Sequence, residues 1–147
     1  MLKLSHSFEP AANEITEVLS KALQIDFKQA QALREKYGLL PDQDPERQNI
    51  KEIISTILDA ILAEAGKTIQ GFSLVENKIP EDIVLAGGAA LTPGLKEYFA
   101  QKLGRKVEII DSFANIFYPP ILEKTLKGIS PSYAIAVGAA MRGLEQF

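Results

Sequence analysis

Residues 82–110, DIVLAGGAALTPGLKEYFAQKLGRKVEII, run strand, glycine turn, helix, glycine, strand. Two strands joined by a crossover helix lie parallel, because the helix carries the chain back to the edge where the first strand began. "DIVLA" reads as a short strand buried on both faces, the usual state of parallel strands. After Gly87 and Gly88, Thr92 reads as a helix cap and Pro93 as the first helical residue, where a missing N–H costs nothing. Leu95, Tyr98, Phe99 and Leu103 then share one face up to Gly104, and "KVEII" ends at Asp111. Two parallel strands alone are marginal. The sheet therefore reads as incomplete: either "MLKLSHSF" supplies another strand, or the missing strands come from an absent segment or a second copy. An uncovered edge of this kind should favour self-association of the chain.

Residues 9 to about 76 read as almost wholly helical. Ile15, Val18, Leu19, Ala22 and Leu23 recur at helical spacing behind Asn13, a candidate N-cap. Asp26 and Gln29 form a capping-box pattern ahead of "FKQAQALREKY", and Gly38 suits the left-handed position that ends such a helix. "LLPDQDPERQ" breaks both periodicities and reads as a loop. A long helix starts near Glu46, with Ile50, Ile53, Ile54, Ile57, Leu58, Ile61, Leu62, Ala65, Ile69 and Phe72 drawing one wide apolar stripe. Burying about six of these side chains is worth on the order of 10 kcal/mol before chain entropy, so this helix organises its half. Gly66 and Gly71 leave its C-terminal end open.

Beyond Asp111, "SFANIFYPPILEKTLKG" reads as a bend followed by one or two helical turns. "SPSYAIAVGAAMRGLEQF" reads as a helix whose small residues, Ala134, Ala136, Gly138, Ala139, Ala140 and Gly143, permit close approach to a sheet.

The chemistry available is narrow. A net charge of -3 with dispersed Lys and Arg gives no footprint for a phosphate backbone, so nucleic acid is not expected as a partner. With zero Cys there is neither a disulfide framework nor a thiolate metal site. Apolar runs fall short of the ~18 residues that a membrane span needs, which leaves association through a partner as the route to a membrane. The lone His6 has no triad-like context and reads as a surface residue, and no metal-binding or catalytic motif is present. Gly87-Gly88 is the one candidate ligand turn: N–H groups between a strand and a helix suit a phosphate or ribose, although the pattern is neither a P-loop nor G-x-G-x-x-G. Local grammar leaves a plain turn and a nucleotide contact both open. A Rossmann-like enzyme fragment using Asp111, 24 positions after Gly87, is an alternative.

In context, "IVLAGGAALTPGL" resembles the adenosine-binding motif of the actin-like ATPase superfamily, which includes actin, sugar kinases and the bacterial proteins FtsA and PilM. "AQALREKYGLL" is similar to a second-lobe helix of the pattern A-E-x-x-K-x-x-Y-G; Ala30, Tyr37 and Gly38 match, while Gln31 stands for the Glu and Arg34 for the Lys. "SYAIAVGAAMRGL" resembles the PilM-type terminus A-x-G-x-A-x-R-G, and "VEIIDSF" the strand that ends in Asp-Pro-Phe, with Ser112 in place of Pro. PilM-type proteins fit better than FtsA, whose amphipathic tail has no counterpart in "MRGLEQF".

The resemblance implies an α/β fold, the second-lobe portion of an actin-like (ribonuclease H-like) fold: a helical IIB-like subdomain over 8–78 and the later part of a IIA-like subdomain over 79–147. It implies nucleotide contacts at Gly87, Gly88, Ala89, Gln31 and Arg34, on the adenosine side of an ATP cleft whose magnesium is supplied through the missing lobe. The phosphate hairpins and catalytic acids belong to absent segments, so no enzyme activity and at most feeble nucleotide binding by this chain alone are implied. A cytoplasmic scaffold of type IV pilus assembly is the implied role, held at the inner membrane through partners: a PilN-like membrane protein tail, bound by the first lobe and not by this portion, and the pilus assembly ATPases.

Overall fold

The computed structural model describes Lys3, Ser5 and residues 12–144; His6 and most of "MLKLSHSF" lie outside the described residues. Helices α1 (Ala12–Leu23) and α2 (Phe27–Lys36) pack on each other, and α1 also packs on the long α3 (Pro45–Glu76). Helix α1 is already helical at Ala12, so Asn13 sits inside its first turn and is not the cap. The α1–α2 turn is tied by Ser20 Oγ, which donates to the Ile25 carbonyl at 2.6 Å.

Both halves of the expected capping box form at α2: the Gln29 N–H donates to Asp26 Oδ1 at 2.8 Å, and the Asp26 N–H donates to Gln29 Oε1 at 3.3 Å. The helix closes at Gly38 with φ +50°. Helix α3 opens on Asp44, whose carboxylate accepts the Glu46 N–H at 2.9 Å, with Pro45 in its first turn. It runs 32 residues, about 48 Å, straight through Gly66 and Gly71 to a left-handed Asn77. The buried line is narrower and shorter than the stripe in the sequence. Ile50, Ile54, Leu58 and Leu62 are buried, whereas Leu74 and Val75 near the C-terminal end are 81% and 83% exposed.

Strands β1 (Asp82–Leu85) and β2 (Lys106–Ile109) pair in parallel, Asp82 opposite Lys106 through Leu85 opposite Ile109. The intervening helix is α4 (Leu95–Leu103), which packs on β2 and ends at Gly104 with φ +60°. "DIVLA" is not buried on both faces, however. Ile83, Leu85 and Val107 face the core, while Val84 on the opposite face is 57% exposed.

A second correction falls on the turn. Gly88–Leu91 forms a 3-10 turn, and Thr92 closes it instead of capping α4. Pro93 then precedes Gly94 at φ +77°, ψ -1°, and the Leu95 N–H donates to the Thr92 carbonyl at 3.1 Å. This is a type II β-turn, for which Pro followed by Gly is the strongest local signal; it overrides the capping preference of Thr92.

After β2 the chain crosses an irregular stretch into a short 3-10 turn (Pro120–Leu122), α5 (Glu123–Ile129), a second 3-10 turn (Ser130–Tyr133) and α6 (Ala134–Leu144). Helix α6 holds no buried residue, and Ile135 is 88% exposed. The expected close approach of this helix to a sheet is absent among the described residues, because the two-strand sheet does not extend to it.

One core cluster joins the two sequence halves: Ile15, Leu19, Ile54 and Leu58 belong to the same cluster as Leu95, Phe99 and Val107. The halves also meet backbone to backbone. Leu39 N–H donates to the Pro93 carbonyl at 2.8 Å. A Cβ on Gly38 would overlap that carbonyl oxygen and lie 2.9 Å from Pro93 Cδ, and one on Gly94 would lie 3.1 Å from the Leu39 carbonyl carbon. Nearby, Tyr98 Oη donates to Asp59 at 2.6 Å and Lys102 Nζ lies 3.1 Å from the same carboxylate, linking α4 to α3.

Gly38→Ala should destabilise the chain by about 2–4 kcal/mol, combining a positive φ with a backbone clash, read as a lower urea midpoint with an unchanged slope. Tyr98 and then Lys102 hold the Asp59 carboxyl below its ordinary value. Its contribution is complete above the unfolded pKa of about 3.9, and is lost as pH falls through the lower folded value. Asp59→Asn should accordingly be less stable than wild type at neutral pH, with the difference in urea midpoint narrowing as pH falls below the ordinary carboxylate range.

Candidate functional site

A cleft of about 500 Å³ opens between α2, the Gly88 turn and the Ser130 turn, lined by Asn13, Gln31, Arg34, Glu35, Gly88, Leu91, Thr92, Gly128 and Ser132. That volume lies within the ~300–1,000 Å³ of small-molecule sites. Three of the five residues singled out in the sequence meet here: Gln31 and Arg34 from α2 and Gly88 from the turn.

The other two, Gly87 and Ala89, do not line the cleft. Gly87 adopts φ +94°, ψ 165°, a region essentially restricted to glycine. Its N–H donates to the Pro131 carbonyl at 2.7 Å and its carbonyl accepts the Ala90 N–H at 3.1 Å, so its polar atoms serve the fold. Ala89 packs partly buried against the core cluster. Gly88 differs from its neighbour. Its φ is not positive, and an added Cβ would make only ordinary contact, 3.6 Å from Ser132 Oγ. The protein backbone does not require glycine there, nor at Gly128, where a Cβ would meet nothing within 4 Å. Both bare positions widen the cleft.

On the α2 wall, Arg34 is 6% exposed although it carries a full charge. Burial pulls its pKa down from the ordinary value, and Glu35 partly offsets this from 3.7 Å. Gln31 Nε2 donates to Glu35 Oε1 at 2.8 Å, one turn along the helix, which leaves the Gln31 amide oxygen as an acceptor. Charge in the cleft is thus balanced within itself: one guanidinium, one carboxylate, and no lysine among the lining residues. Hydroxyls, an amide and two glycines make up most of the remaining wall, with Leu91 the apolar surface. Such a lining suits an uncharged, hydrogen-bonding ligand portion better than a chain of phosphates.

The third wall is fixed by Ser130, itself 2% exposed. Its Oγ lies 3.3 Å from the Ile110 carbonyl and 3.2 Å from Asp111 Oδ1, and accepts the Ser112 N–H. Ser112 Oγ in turn donates to the Ser130 carbonyl at 2.8 Å. These bonds, with the Gly87–Pro131 bond, pin the Ser130 turn to the C-terminal ends of both strands and so place Ser132 and Gly128 on the cleft. A proline at 112 would lack the N–H that this network uses. Asp111, the candidate ribose acid of the Rossmann-like alternative, is also engaged here: it accepts the Phe113 N–H at 3.1 Å and does not line the cleft. Among the described residues no group of three or more acidic or imidazole side chains is arranged to hold a metal ion.

Sequence reading missed Asn13, Glu35, Leu91, Thr92, Gly128 and Ser132 as cleft residues. Glu35 carried a usable signal, since it follows Gln31 at the i, i+4 spacing that shares a helix face. Gly128 and Ser132 carried none, because only the Ser130 network brings them to the site.

Comparison with known proteins agrees with this architecture. A chain of a solved PilM-PilN type IV pilus biogenesis complex superposes with a TM-score of 0.73 at 23% sequence identity, over 88% of this chain and 36% of that one. The likeness establishes the fold and fits a portion of an actin-like fold, and the present chain spans about a third of the length of that relative. A family profile for type IV pilus assembly protein PilM matches residues 11–144, nearly the whole of the described chain, and the chain belongs to that family.

Proposed function

We propose that this chain is the second-lobe portion of a PilM-like actin-fold scaffold for type IV pilus assembly, and that its cleft is the adenosine-side wall of an ATP site. The convergence of Gln31, Arg34 and Gly88 on one cleft, from segments more than fifty residues apart, carries this reading. Glycines at 88 and 128 leave room for a flat base or a ribose against the backbone. The buried Arg34 guanidinium offers a planar surface and donors, and the Gln31 oxygen offers an acceptor.

In this reading ATP acts as a structural or switching ligand and the chain is not an enzyme. Glu35, the one carboxylate on the cleft, is already paired with Gln31 and Arg34, so magnesium and the phosphates are assigned to groups on the opposing lobe. Small-molecule sites enclose about 70–90% of their ligand. A single wall leaves much of the nucleotide in water, and the isolated chain accordingly binds feebly. No helix among the described residues is long and apolar enough to cross a membrane. The solved relative is a complex with PilN, which supports a PilN-like tail as the partner that holds the complete scaffold at the cytoplasmic side of the inner membrane, next to the pilus assembly ATPases.

Titrating the ¹⁵N-labelled chain with ATP, AMP and inorganic triphosphate tests the site by amide shifts. ATP and AMP should shift the same amides, those of Gln31, Arg34 and Gly88 among them, with dissociation constants in the millimolar range and within about threefold of each other. Triphosphate should leave them in place. Shifts that follow triphosphate, or none at those amides with either nucleotide, would overturn the assignment.

A further inference from the structure

Thr92 carries a side chain that its place in the turn does not explain. Its backbone is fully used: the N–H donates to the Ala89 carbonyl at 3.0 Å and the carbonyl accepts from Leu95 at 3.1 Å. The residue is 4% exposed and lines the cleft, and its Oγ1 is buried with no hydrogen-bond partner in the protein. A hydroxyl buried unpaired costs folding free energy, whereas valine, of nearly the same shape, would avoid that cost. The buried hydroxyl nearby is satisfied: Ser130 Oγ accepts the Ser112 N–H and lies within bonding distance of the Ile110 carbonyl. The turn itself also has no use for the group, since Pro93 and Gly94 define its geometry.

We propose that Thr92 is a ligand-binding residue of the cleft, its hydroxyl kept without a protein partner so that it bonds an uncharged polar group of a bound nucleoside. This rests on the nucleotide reading above. Binding in this way requires the side chain to turn about χ1 so that Oγ1 reaches the ligand, and a hydroxyl can both donate and accept. Base edges and ribose hydroxyls present both kinds of group. A phosphate would call for a cation, and the one cation on the cleft, Arg34, is balanced by Glu35. Thr92 would thus pair with the ligand at the cost of stability in the empty protein.

Thr92→Val and Thr92→Ser, compared with the wild-type chain by amide-shift titration with AMP and by thermal unfolding without ligand, decide the matter. Thr92→Val should weaken AMP binding about tenfold while the melting temperature of the empty chain stays equal or rises, and Thr92→Ser should bind within about twofold of wild type. If wild type binds and Thr92→Val binds equally well, the Thr92 assignment falls and the nucleotide site stands. A melting temperature several degrees lower for empty Thr92→Val would make the hydroxyl a structural group and also overturn it. Absence of nucleotide shifts at Gln31, Arg34 and Gly88 in the wild type would remove the nucleotide reading, and the role of Thr92 with it.

Discussion

The close passage of Gly38 and Leu39 over Pro93 and Gly94 is the contact on which the rest of the molecule depends. It brings the end of α2 against the turn before α4 with main-chain atoms on both sides, bonded from Leu39 to the Pro93 carbonyl. Two glycines in left-handed conformations make the approach possible, and a side chain on either would push the two turns apart. Leu39 and Leu95 continue it into the core cluster on either side. Because α2 is held at this end, Arg34, one turn back from Gly38, sits at a fixed distance from the Gly88 turn. The cleft is therefore a geometric consequence of how the two halves are joined.

The opposite wall is secured by different physics. Around Ser130 the contacts are polar and short-range: two serines, a carboxylate and the strand-end backbone groups bond to one another about the buried Ser130. Such networks specify one arrangement strongly when every member is paired. The apolar core does not extend to this region; α6 beyond it has no buried residue, and Phe117 and Ile121 are exposed. One wall of the cleft is thus set by hydrophobic packing plus a backbone clasp, and the other chiefly by hydrogen bonds, with the buried Pro131 packed among them.

Most of the local structure was legible in the sequence wherever a single residue type answers a single backbone demand. The Asp26–Gln29 box, the left-handed Gly38, the helix stop at Gly104, and the parallel pairing of β1 and β2 all follow from short-range chemistry. Thr92-Pro93-Gly94 was misread because two local signals compete there, a cap and a type II turn, and the sequence does not say which the flanking 3-10 geometry selects. Burial was the poorer inference. The outer face of β1 at Val84, the C-terminal end of α3 at Leu74 and Val75, and α6 at Ile135 are as apolar as core segments, yet these side chains are exposed. Site membership divided the same way: Gln31, Arg34 and Gly88 stand out by motif, while Thr92, Gly128 and Ser132 reach the cleft only through tertiary contacts.

A joint made from main-chain atoms has an evolutionary consequence. Its geometry depends on two glycines and a proline and is indifferent to the identity of the side chains that project from α2 into the cleft. Substituting Gln for Glu or Arg for Lys on that helix alters which hydrogen bonds are offered without moving the wall that offers them. The fold can therefore exchange the hydrogen-bonding groups along its cleft by single replacements while keeping its shape.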